Sequence, residues 1–175
     1  MCIPGTDVRL KILPNSLPKG VEQARIRMEI IAGRLLRNQP VHSFASNSSV
    51  VVELLPNYLQ LQRCALLTLP HCLKLKTTSH NVVKVFVSHH SKDSKPCWEE
   101  KPQLDYQLDD KGLTLQLDTF CWVKYEIDDE IVEAKKIQVF AARPNISQED
   151  EITKIELGYH PDLPGAGEVN AVILS

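Results

Sequence analysis

The chain is short of glycine: it has 7 in 175 residues, and none falls in a G-x-G-x-x-G or G-x-x-x-x-G-K-S/T frame. Phosphate-cradling loops need those frames, because only glycine lets backbone N–H groups approach a phosphate with no Cβ in the way. Nucleotide-binding enzymes of those two types are therefore excluded. Basic charge is not in excess either. Lys and Arg number 20 against 22 Asp and Glu, a formal net charge of -2. Nucleic-acid affinity comes from a basic stripe that releases counterions from phosphates. The basic pairs here, such as Lys135-Lys136, sit beside acidic neighbours as on a solvated face. No run approaches the ~18–20 apolar residues of a membrane helix. The start, Met1-Cys2-Ile3-Pro4-Gly5-Thr6-Asp7, has neither the basic nor the apolar region of a signal peptide. The expectation is no nucleic-acid partner, no membrane span and no secretion.

Cysteine is sparse and unevenly placed. Cys2, Cys64, Cys72, Cys97 and Cys121 are odd in number and widely spaced, which argues against a disulfide framework and for reduced cytosolic thiols. No zinc pattern of paired ligands occurs. His71-Cys72 and His89-His90 with Cys97 have the wrong spacing, and neighbours on a strand point to opposite faces. Neither a metal nor a cofactor is expected, and no local signature supports a cysteine hydrolase. Two sequons, at Asn47 and Asn145, carry little weight without a secretory signal.

What the chain does have is period-two alternation in short runs. Hydrophobic residues make up 43% of it, enough to bury a core. Val8, Leu10 and Ile12 alternate with polar neighbours, as do Leu113, Leu115 and Leu117, and Ile137, Val139 and Ala141. Ile26, Met28 and Ile30 do the same, and a strand is preferred there to a helix over 23–37. Val50–Leu55 and Val82–Val87 are apolar on both faces, as in central strands. A looser run is Ile152, Ile155 and Leu157. Turn signals separate the runs: Pro14-Asn15, Pro18-Lys19-Gly20, Pro56-Asn57, Asp109-Asp110-Lys111-Gly112 and Pro161–Gly165. The pattern predicts an all-β protein, an antiparallel β-sandwich. Leu10, Ile12, Val52, Leu54, Leu67, Val85, Trp98, Leu115 and Trp122 are expected to be mostly buried, with Trp98 capping one end of the core. The last residues, Val169–Leu174, form an apolar strand-like run that would need pairing.

These residues also carry a resemblance. Ser49–Cys72, SVVVELLPNYLQLQRCALLTLPHC, resembles the signature of ZU-five domains, a strand ending in ELxP and a second strand leading to LTLPHC. Asp7–Gly20 is similar to the family's opening segment. Ser88-His89-His90, Trp98-Glu99-Glu100 and Leu104–Val123 resemble its later motifs. The resemblance covers residues 5–128. Past an acidic junction at Asp128–Glu133, residues 134–175 resemble the truncated start of a UPA domain, a partial second β domain. The pair occurs in Unc-five netrin receptors, ankyrins, the death-domain protein PIDD and function-to-find regions of inflammasome sensors.

The resemblance implies a non-enzymatic β-sandwich without a cofactor, in the cytoplasm or in the intracellular part of a membrane-associated protein. Its implied partners are other proteins: a UPA or death domain in cis, or a signalling or cytoskeletal protein in trans, with no small-molecule substrate. Some members cut themselves at a His-Phe-Ser tripeptide. The matching residues here are Thr119, Phe120 and Cys121. Cysteine is a competent nucleophile, but a threonine hydroxyl accepts no proton near neutral pH, so the position reads as degenerate. His89 or His90 could replace the missing base from a neighbouring strand. Two alternatives stand beside the interaction module: a self-cleaving module cut at Phe120-Cys121, and a membrane-skeleton adaptor of ankyrin type.

Overall fold

Nearly every regular element is a strand, and the alternation explains why: the long strands of the two main sheets turn most of their apolar residues onto one shared core. The computed structural model describes residues 1–31, 47–76, 82–90, 94–142 and 156–164. One sheet is built from β1 (Arg9–Lys11), β4 (Gln60–Pro70), β9 (Gly112–Thr119) and β8 (Tyr106–Leu108), in that spatial order. The other has the order β2 (Arg27–Ile30), β3 (Val52–Leu55), β10 (Trp122–Ile127), β6 (Val83–Ser88), β7 (Glu99–Glu100). All pairings are antiparallel. Leu10, Ala65, Leu67, Leu69, Leu113, Leu115 and Leu117 of the first sheet meet Met28, Val52, Leu54, Val85, Val87, Val123 and Tyr125 of the second in one hydrophobic core. The protein is an all-β sandwich, as the alternation predicts.

Register decides what lies on the outer face of the five-stranded sheet. Trp122 stands opposite Glu53 and Ser88, Lys124 opposite Phe86, and Glu126 opposite Lys84. This face departs from the expected core. Trp98 is half-buried and does not cap the core. Its ring lies over this outer face, 5.3 Å from the Lys124 Nζ, which also sits 4.9 Å from the Phe86 ring. Trp122 is buried as expected, but against His90 on the outer side, with ring centroids 4.4 Å apart. Ile12, just past the end of β1, is half-buried against the core. The other six residues expected inside, Leu10, Val52, Leu54, Leu67, Val85 and Leu115, are buried.

Turn chemistry falls where the sequence marks it. In the β8–β9 turn the Asp109 Oδ1 accepts from the amides of Lys111 at 2.8 Å and Gly112 at 2.9 Å. Gly112 passes so close to the Leu69 carbonyl that any Cβ there would overlap it. After the sandwich, β11 (Val132–Lys135) pairs with β5 (Leu73–Leu75), and β12 (Ile137–Ala142) pairs with β13 (Glu156–Pro161) in a two-stranded hairpin. Along this hairpin Ile137 and Val139 are exposed at 41% and 70%. Asn47 of the first sequon is buried, and its amide donates to the Ile127 carbonyl at 3.2 Å and to Asp129, which leaves no room for a glycan. Asn145, Ile152, Ile155, the 32–37 end of the weighed helix and the terminal run 169–174 lie outside the described residues.

Candidate functional site

Thr119, Phe120 and Cys121 occupy the link by which the chain crosses between sheets, since β9 belongs to one and β10 to the other. The alternation of β9 ends at Thr119, whose side chain is turned outward. Its hydroxyl lies 2.8 Å from the Gln60 Oε1 and 3.0 Å from the Asp118 Oδ1, with one proton to share between these two acceptors. Phe120 and Cys121 then turn inward and are almost completely buried, Cys121 at 2% exposure.

The backbone of this link is clamped by the end of β3 and the segment that follows it. The Phe120 N–H donates to the Leu59 carbonyl at 3.0 Å, and the Phe120 carbonyl accepts from the Tyr58 N–H at 2.9 Å. The Cys121 carbonyl accepts from the Leu54 N–H at 3.1 Å. Tyr58 has a φ of 65°, in the left-handed region uncommon for a residue with a Cβ. That geometry aims its amide at the Phe120 carbonyl and leaves its ring 60% exposed, stacked on His89 at 5.2 Å. The sequence marks Pro56-Asn57 as a turn, but nothing in it marks Tyr58 as the donor to this carbonyl.

A cleft of about 560 Å³ opens beside the link, lined among others by Val87, His89, Leu104, Leu117, Thr119 and Cys121. The structure therefore brings one of the two candidate bases to the site and sends the other away. His89 shares the cleft, with a buried Nδ1 that has no hydrogen-bond partner. His90 points to the outer face, its Nδ1 2.9 Å from the Ser88 Oγ and its backbone carbonyl taking the Asn57 side-chain amide at 2.6 Å. Burial holds its pKa below the usual 6.5, with the Ser88 backbone and the Glu53 carboxylate pulling weakly the other way.

Chemically the site is quiet. Burial, reinforced by the Asp118 carboxylate, pushes the Cys121 thiol up to about 12. The nucleophilic form is the thiolate, and such a pKa leaves roughly one part in 10⁵ ionised at neutral pH. The thiol donates weakly to the Thr119 carbonyl at 3.7 Å. The Tyr58 N–H could polarise the Phe120 carbonyl, so one stabilising donor is in place while an ionised nucleophile is not. Among the described residues no three His, Cys, Asp or Glu side chains gather to hold a metal ion, and no helix is long and apolar enough to cross a membrane. All five cysteines are free.

No curated protein matches the chain. The family model of the ZU5 domain matches residues 1–88, which hold the opening segment, the LTLPHC strand and Ser88. That match spans half of the chain, and the chain belongs to the ZU5 domain family, a family of protein-interaction modules.

Proposed function

We propose that the protein is a non-catalytic, cytoplasmic interaction module of a signalling or scaffold protein, with a ZU5 sandwich over residues 5–128 and the start of a UPA-like domain from residue 134. Membership of the ZU5 family carries the reading. The hairpin that follows the sandwich supports the second part: Ile137 and Val139 present apolar surface, as an element built to pack on a further domain would. Free thiols and an Asn47 closed to glycosylation fit a reducing compartment. The partner is another protein: a UPA or death domain in cis, or a signalling or cytoskeletal protein in trans. Immobilised chain is tested against purified death domains and spectrin repeats. Death-domain binding is expected, spectrin binding alone would move the protein to the membrane-skeleton class, and binding to neither would remove the reading.

The self-cleaving alternative is favoured by one observation, the Tyr58 N–H already bonded to the carbonyl that would be attacked. The un-ionised thiol and the hydroxyl at the base position weigh against it. Intact-mass measurement separates the two readings.

A further inference from the structure

His71 stands where the sandwich hands over to the C-terminal strands, and both of its ring nitrogens are committed. Its Nε2 lies 2.8 Å from the Asp109 carbonyl, which can only accept, so Nε2 carries the hydrogen. Its Nδ1 accepts from the Leu73 backbone N–H at 3.2 Å. The two bonds together define the neutral ring in one tautomer. A proton added at Nδ1 would face the Leu73 N–H, and a backbone amide cannot rotate away as a hydroxyl can.

Leu73 opens β5, whose pairing with β11 joins Leu73 to Lys135 and Leu75 to Val132. One residue further on, the Lys136 N–H donates to the Cys72 carbonyl at 2.6 Å, and the Lys136 carbonyl takes the Asp162 N–H at 3.0 Å. These bonds form the root of the β12–β13 hairpin. The ring is buried. Burial opposes its charging, with Lys136 in support, while the Asp109 carbonyl and the Asp109 and Asp110 carboxylates favour it; burial prevails and the pKa lies below 6.5. The neighbouring Cys72 thiol has its pKa raised by burial and adds no negative charge.

We propose that His71 is a pH-sensitive joint: neutral, it holds Leu73 and so the β5–β11 pairing that roots the C-terminal hairpin; protonated, it releases them. Acidification then loosens the hairpin from the sandwich without unfolding the sandwich itself. This holds whether or not the hairpin begins a UPA domain.

Amide hydrogen exchange on the intact chain at about pH 7.5 and about pH 5.5, corrected for intrinsic rates, reads the joint directly. A released imidazole with the ordinary value of 6.5 takes a proton about ten times more readily than it stays neutral at the lower pH. The protection of the Leu73, Lys76 and Lys136 amides, bonded to the His71 ring, the Ile131 carbonyl and the Cys72 carbonyl, should therefore fall by as much as about tenfold, while β9 and β10 stay protected. In His71→Gln, whose amide can donate to Asp109 and accept from Leu73 without titrating, protection should not change with pH. An equal fall in the variant, or no fall in the wild type, overturns the proposal. Should the variant not fold, ring ¹⁵N shifts of the wild type decide the matter. A neutral Nε2–H ring whose titration moves the Leu73 amide supports the joint, and a ring protonated at Nδ1 near neutral pH refutes it.

Discussion

Replacing the two tryptophans one at a time should give unequal losses, although both were expected inside from sequence. Trp122 is 3% exposed, with its ring edge against His90 at 4.4 Å. Truncation to alanine removes a fully packed indole and should cost about 3–5 kcal/mol. Trp98 is partly buried over the Lys124 ammonium. About two thirds or more of an indole's ~200 Å² is buried there, at ~25 cal/mol per Å² about 3–4.5 kcal/mol, to which the cation contact adds about 0.5–1 kcal/mol. Its Nε1 is buried with no partner, as is that of Trp122, so a relieved desolvation cost of about 1–3 kcal/mol applies to both truncations and leaves their difference unchanged. Trp98→Ala should therefore cost about 1 kcal/mol less than Trp122→Ala, which buries more area and leaves a closed cavity. Trp122 Nε1 is likewise unpartnered, so Trp122→Phe, which keeps most of the ring, should stay within about 1.5 kcal/mol of wild type. Urea unfolding followed by circular dichroism gives the midpoints, and unchanged slopes would license comparing them. If Trp98→Ala loses as much as Trp122→Ala, Trp98 belongs to the core and the placement of the outer face is wrong.

The purified chain should show a single mass, with no cut between Phe120 and Cys121. If Thr119→His with Cys121→Ser does cleave, the Tyr58 clamp already supplies what the backbone must provide, and the block is chemical. Iodoacetamide at about pH 7.5 should label the exposed Cys2 and Cys97 quickly and leave Cys121 untouched until denaturant is added, because its thiol is pushed up to about 12; prompt labelling of Cys121 in native protein would contradict its burial. Gly112→Ala should lower stability by about 1–3 kcal/mol, since its Cβ would press on the Leu69 carbonyl and shift the β4–β9 pairing, as a urea midpoint would report. Overall stability should fall as pH drops below 6.5: burial lowers the folded-state pKa of His71 and His90, so the unfolded chain binds protons first, and the loss levels off below the folded values. A thermal midpoint that stays flat from about pH 7 to pH 5 would refute this.

The sandwich was legible because its signal is local. Leu113, Leu115 and Leu117 alternate on one strand and all turn to the core, and Asp109–Gly112 writes the turn that begins it. Trp98 misled because an aromatic among polar residues reads as core. A ring laid over a cation on the outer face also hides much of its apolar surface, and only register puts Lys124 and Phe86 on the same outer face beneath it.

The site was legible in identity and not in state. Sequence placed Thr119, Phe120 and Cys121 side by side and left open which histidine could serve them. That choice depends on side-chain direction past the end of β6, where His89 enters the cleft and His90 turns to Trp122. The ionisation of Cys121 is likewise a property of the crossing and not of the residue. Here the link from one sheet to the other is itself buried, Phe120 and Cys121 both lying in the core, and burial there keeps the thiol protonated. The same passage lets the Leu54–Leu59 segment hold both flanking carbonyls. The position best clamped for backbone chemistry is thus also the one where a cysteine is least able to begin it, so any catalytic member built on this geometry must bring a base close enough to take the proton inside the core.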